Sequence, residues 1–145
     1  MKALSIQQPW ASLIVAGIKD VENRTWSTRY RGPLAVHAGS KLNKATARDA
    51  FSRLERVQLV TLCNCIALTT SKDVLTVTLD DVPRGAVIGV VDVVDVIRTS
   101  KSKWALEDHF HWVLRNPRPV RAWWMSGRLG LFDVPDGLAS ATEAA

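Results

Sequence analysis

Within six residues, Lys19, Glu22 and Arg24 bring an ammonium, a carboxylate and a guanidinium into one short stretch, Gly17-Ile18-Lys19-Asp20-Val21-Glu22-Asn23-Arg24. If residues 20 to 26 run as a strand, Glu22, Arg24 and Trp26 project from one face about 7 Å apart, with Lys19 at the preceding turn. One acid and two bases can then meet a polar, anionic ligand. Arg24 holds Glu22 or grips a phosphate through its planar fork, and Lys19 brings a mobile positive charge to an oxyanion. Glu22 accepts from the exocyclic amine of a base, as carboxylates do from cytosine N4, or serves as a general base. The plainer reading is a solvated ion-pair ladder, which contributes little, and the pattern by itself favours that.

The elements that must position these groups follow from the surrounding pattern. Pro9 suits the first turn of a helix, Trp10, Leu13 and Ile14 share a face, and Gly17 is a good terminator, so residues 9 to 16 are expected to be helical. Residues 20 to 26 and 33 to 38 read as strands joined by a basic turn, Arg29-Tyr30-Arg31-Gly32-Pro33. Ser40 or Asn43 can cap a second helix reaching about Glu55, with Ala47, Ala50, Phe51 and Leu54 on its buried face. Residues 58 to 69 and 74 to 79, rich in Val, Leu and Thr, read as short strands. The run from Gly85 to Ile97 is the strongest strand, and Gly89 with the Asp92/Asp95 pair signals a bulge or bend. A short helix over 101 to 107, a strand over 110 to 115, a Pro117/Pro119 loop and strands over 121 to 125 and 129 to 134 complete a single domain of residues 1 to 135. Residues 136 to 145 read as a disordered tail.

Several of these segments together resemble the ASCH domain. They are Leu4-Ser5-Ile6-Gln7-Gln8-Pro9-Trp10-Ala11-Ser12-Leu13, the GxKxxExR stretch, Trp26 with Tyr30-Arg31-Gly32-Pro33-Leu34, and Pro83-Arg84-Gly85-Ala86-Val87-Ile88-Gly89-Val90-Val91-Asp92. Trp112-Val113-Leu114 with Asn116-Pro117, and Leu129-Gly130-Leu131-Phe132, extend the match over most of residues 3 to 134. The resemblance implies an α+β fold, a small mixed β-barrel of PUA type with two or three peripheral helices, and a cleft lined by the GxKxxExR side chains.

The remaining composition bounds the function. The chain of 145 residues has a net charge of +5 and a pI of about 9.6, which points to an anionic partner. Lys2 and the apolar residues after it are broken by Gln7, Gln8 and Pro9 before they resemble a signal segment, and no apolar run reaches membrane-spanning length, so a cytoplasmic protein with no membrane partner is expected. Cys63 and Cys65 are read as a reduced pair sharing one strand face against the core. His37, His109 and His111 lack partners at familiar ligand spacing, so no metal and no cofactor is expected. Trp26 can stack a base if it shares the Glu22 face, although core positions suit Trp26, Trp10 and Trp112 better. Of the neighbours Trp123 and Trp124, which point to opposite strand faces, an exposed one beside Arg121 and Arg128 makes a nucleobase platform. Ser126, in the turn before the last strand, is a possible polar contact.

The reading that unites charge, aromatics and resemblance is binding of RNA or another single strand. In it Lys19, Arg24, Arg29, Tyr30 and Arg31 meet the backbone, and Glu22, Trp26 and Ser126 meet the bases. The alternative is a metal-independent hydrolase in the same cleft, because proteins similar to this one include an amidohydrolase acting on N4-acylated cytidine and a single-strand ribonuclease. The amidohydrolase pattern pairs the motif lysine with a threonine three residues on and a distant glutamate. Lys19 fits that pattern, but Glu22 stands at the threonine position and Glu107 is the candidate distant acid. Chemistry would then need water activated by Glu22, with Lys19 stabilising the oxyanion. A protein-interaction module of a transcription-related complex is the weaker third reading, and a monomer is favoured.

Overall fold

The computed structural model describes residues 1–138. Along the chain run β1 (Lys2–Gln8), α1 (Trp10–Val15), β2 (Val21–Arg24), β3 (Gly32–Leu42), α2 (Lys44–Ser52), α3 (Arg56–Thr70), β4 (Ala86–Ile97), β5 (Phe110–Trp124) and β6 (Leu131–Asp133). The strands form one mixed sheet in the order β2-β5-β4-β3-β1-β6, with β1 and β3 parallel and every other pair antiparallel. This is the expected α+β class with three helices beside the sheet.

The end strands β2 and β6 do not pair with each other, so the sheet is not closed into a barrel. It nevertheless brings Arg24 of β2 to β1. The Arg24 Nη2 donates to the Ser5 carbonyl at 2.6 Å, one residue beyond Leu4, where pairing with β6 stops. Shifts of register supply bends of the kind such a sheet needs. Between Val90 and Asp92 of β4, the partner strand moves from Arg118 to Arg115, and its extra residue is absorbed where Asn116 takes a φ of 52°. Pro117 and Pro119 therefore lie inside β5 rather than in a loop between two strands. They are tolerated because β2 pairs only with Phe110–Val113, which leaves the outer edge of β5 without a strand partner at the prolines.

Trp112, Leu4, Ile14, Val36 and Ile88 anchor the main core, and a second cluster joins Leu13 of α1 to Phe51 of α2 and to Leu62 and Ile66 of α3. Helix α1 lies so close to β4 that a Cβ added at Gly89 would stand 2.4 Å from Val15 Cγ1 and 3.0 Å from the Arg118 carbonyl oxygen. Gly89→Ala is therefore expected to cost about 1–3 kcal/mol of stability through overpacking. Urea unfolding with an unchanged m-value would measure it.

Three further sequence expectations are corrected, those for residues 58 to 69, 74 to 79 and 101 to 107. Residues 58 to 69 are helical: Leu62, Cys65, Ile66 and Thr69 are buried at helical spacing, and a capping box between Glu55 and Gln58 starts α3. Tertiary burial overrides the β-propensity of the Val, Leu and Thr side chains, while 74 to 79 form turns that end in a 3-10 turn at Leu79–Asp81. Residues 101 to 107 make turns and no helix. The segment from Asp136 opens with a 3-10 turn whose Leu138 is buried beside Val134 and Phe132; the rest of the expected tail lies outside the described residues. Residues 2 to 8, with no strand assigned from sequence, form β1 next to the sheet edge. Among the described residues no helix is long and apolar enough to cross a membrane.

Candidate functional site

Gly17, at a φ of 78°, ends α1, and the N–H groups of Ile18 and Lys19 both donate to the Leu13 carbonyl at 3.0 Å. That tight turn brings the Lys19 ammonium to 5.8 Å from the Trp10 ring centre. Lys19 Nζ donates to the Val21 carbonyl at 2.5 Å and stands 3.5 Å from Glu22 Oε1. On β2, the other oxygen of Glu22 accepts from Arg24 Nη2 at 3.1 Å. A carboxylate thus sits between two cations. Lys19 is 5% exposed and Glu22 7%, so this is a buried cluster and not the solvated ladder that the pattern favoured. Burial holds the Lys19 ammonium below the usual lysine range, against the opposing pull of Glu22.

The facing wall comes from remote segments. Asn23 fastens the 102–106 turn: its Nδ2 donates to the Trp104 carbonyl at 2.9 Å, and its Oδ1 accepts from the Leu106 N–H at 3.1 Å and faces His111 Nδ1 at 2.8 Å. Ser102 Oγ adds a bond to Asp20 Oδ1 at 2.5 Å. Trp104 meets Trp10 edge to face with ring centres 6.3 Å apart, and Lys103 Nζ lies 5.4 Å from the Trp104 ring. Between this turn and α2 lies a cleft of about 270 Å³, with Lys19 and Glu22 in its lining and, at its rim, Asp49 of α2 paired at 3.1 Å with Arg53 just past the end of that helix. Lys19, Arg53 and Lys103 outnumber Glu22 and Asp49, so the lining is net positive.

The structure brings Lys19 and Glu22 into the cleft and sets Arg24 against Glu22, but Arg24 does not line the cleft itself. Trp26 does not line the cleft. β2 ends at Arg24, the strand alternation stops there, and Trp26 packs edge-on against the buried Trp112 with ring centres 5.0 Å apart. In the basic turn, Tyr30 OH bonds the Pro33 carbonyl and Arg31 pairs with Asp95 at 3.7 Å, whereas Arg29 is exposed and makes no ion pair or hydrogen bond among the described residues. Ser126 lines a different groove, and Glu107 is exposed and outside the cleft lining. Trp10, expected in the core, packs against both core clusters and also forms a cleft wall. Sequence reasoning missed Asn23, Lys103, Trp104, Asp49 and Arg53. Only Asn23 carried a signal, as one of the unspecified positions inside GxKxxExR.

Cys63 and Cys65 lie on α3 and not on a strand, so residues two apart turn to different sides. Cys65 is buried, which pushes its thiol up to about 12, and Cys63 is half-buried; both are free. His37 lies between Ser5 Oγ and the Met125 carbonyl, and His109 beside the Glu107 carbonyl. Among the described residues no group of three or more His, Cys, Asp or Glu side chains is placed to hold a metal ion.

The ASCH domain sequence model matches residues 4–122. Activating signal cointegrator 1 of Homo sapiens is 34% identical over 127 residues, and that of Mus musculus 32% identical over 124, each alignment covering 81% of this chain and 19% of the relative. The chain therefore spans about a fifth of the length of these relatives.

Proposed function

Since the chain belongs to the ASCH domain family, we propose that its cleft receives one unpaired base of a single-stranded nucleic acid, RNA in the first instance. The observation that carries this reading is the pairing of indole walls, Trp10 and Trp104, with the adjacent Lys19 and Glu22 in one net-positive cleft of about 270 Å³. A base stacking on Trp104 turns its hydrogen-bonding edge toward those two groups. Glu22 then accepts from an exocyclic amine and Lys19 donates to the neighbouring ring acceptor, a pattern that suits cytosine or adenine and leaves uracil with a carbonyl facing the carboxylate. Lys103 and the unpaired Arg29 are available for phosphates.

The alternative of hydrolysis in the same cleft has less support. None of the lining side chains carries a hydroxyl, and Glu107 lies outside the lining.

Fluorescence anisotropy with labelled single-stranded RNA of unrelated sequences, titrated across salt, tests the proposal. Each phosphate neutralised on a single strand should lower the slope of log K against log salt by about 0.7. Arg29→Ala should weaken all sequences alike, and oligocytidine should bind more tightly than oligouridine. Affinity that ignores salt, or no binding at low salt, would overturn the reading.

A further inference from the structure

A second concavity is an open groove of about 830 Å³, and Arg24, which lines neither site, bonds one residue of each. The same Nη2 that bonds Glu22, a cleft residue, also bonds the carbonyl of Ser5, a groove residue. The groove floor is fixed. His37, 2% exposed, is held by Ser5 Oγ at 2.9 Å from Nδ1 and by the Met125 carbonyl at 2.7 Å from Nε2. Gly127 is pressed onto this floor so closely that an added Cβ would stand 2.3 Å from Ser5 Oγ and 2.7 Å from His37 Cε1. The segment carrying Trp124 and Arg128 is thereby set at the rim of a rigid base.

The chemistry of the groove is one-sided. Lys41 and Arg128 are exposed in its lining, and neither side chain has an ion pair or hydrogen bond among the described residues. Among the described residues no Asp or Glu lines it. Ser126, Gly127 and Arg128 offer backbone N–H groups that no acceptor among the described residues takes. Beside these donors Trp124 is 67% exposed, a large indole left in water. Two unpaired cations, free amide donors and a solvent-facing indole are what a single strand meets with its phosphates and one base face.

We propose that this groove carries the strand whose unpaired base enters the cleft: Lys41 and Arg128 hold phosphates, Ser126 and the Gly127 N–H meet a phosphate oxygen, and Trp124 stacks a base. Arg24, bonded to Ser5 of the groove and Glu22 of the cleft, lies along the path between them. The proposal rests on the single-strand reading of the cleft.

The test compares a twelve-nucleotide single-stranded RNA, a duplex of the same sequence and a single nucleotide, cytidine 5′-monophosphate, on the wild type, the Lys41→Ala/Arg128→Ala double variant and Trp124→Ala. Loss of two phosphate contacts should make the salt slope of the twelve-mer shallower by about 1.4, and loss of the stacking platform should weaken it about 5-fold or more. The mononucleotide, which reports the cleft alone, should bind all three proteins alike. If the twelve-mer binds but neither groove variant changes its affinity or slope, the groove proposal falls and the cleft reading stands. If the duplex binds as tightly as the single strand with the same dependence on groove residues, the groove is a general phosphate surface and the proposal falls. If the wild type binds none of the three ligands, both readings fall together.

Discussion

Glu22→Ala should lower the free energy of unfolding by about 3–5 kcal/mol, the usual cost of removing one partner from a buried ion pair. Among the described residues the carboxylate is the one anion in contact with the Lys19 ammonium, whose side chain is almost fully enclosed. Without it a charge remains in a low-dielectric site with only the Val21 carbonyl as acceptor. Arg24 loses its carboxylate too, but it is partly exposed and keeps the Ser5 carbonyl. The asymmetry supplies a control: adding Lys19→Met to Glu22→Ala should restore much of the loss, because the uncompensated charge is gone and a methionine fills similar space. Urea unfolding of the two single variants and the double measures this as a thermodynamic cycle. A loss below about 1 kcal/mol for Glu22→Ala would return the cluster to the class of solvated surface pairs.

Trp104→Ala should weaken single-stranded RNA binding by about 1–3 kcal/mol, the measured worth of stacking a base on an aromatic ring, with little change in salt slope because no phosphate contact is lost. The turn that carries Trp104 is fastened through its backbone carbonyl to Asn23, so the alanine keeps the wall in place while removing its face. Trp104→Phe, which retains a ring, should recover most of the affinity. Anisotropy titrations at fixed salt read the difference directly. Equal binding by the alanine variant and the wild type would mean that no base stacks there, whatever the charge of the cleft.

The part of this site that was legible in sequence is the part that is local in sequence. Lys19, Glu22 and Arg24 lie close enough along the chain for any turn-then-strand arrangement to bring them together, and Gly17 announces the turn. The opposite wall was illegible because α2 and the 102–106 turn reach the cleft through long-range packing, with Asn23 and Trp104 far apart in the chain and joined by one hydrogen bond. Trp26, for which a core position was the better-suited reading, packs against Trp112 at the main core just past the end of β2. In the fold, β4 was read correctly from its Val and Ile run, whereas α3 was mistaken for strands. Its exposed side carries Val57, Val60 and Leu68, so the apolar periodicity that marks a helix is blurred by hydrophobic residues on the wrong face.

The open sheet also has a bearing on self-association. The long strands β3, β4 and β5, whose Val-rich ladders would template pairing with another chain if left bare, lie inside the order, and the ends are the two shortest strands, β2 of four residues and β6 of three. Ends that short present few unpaired backbone groups to a neighbour. Where β5 runs past β2, Pro117 and Pro119 remove amide donors from the uncovered edge, and where β1 runs past β6 the Arg24 guanidinium occupies the first free carbonyl. Arg24 thus also covers part of an exposed edge, so Arg24→Ala is expected to lower solubility, read by light scattering at rising concentration.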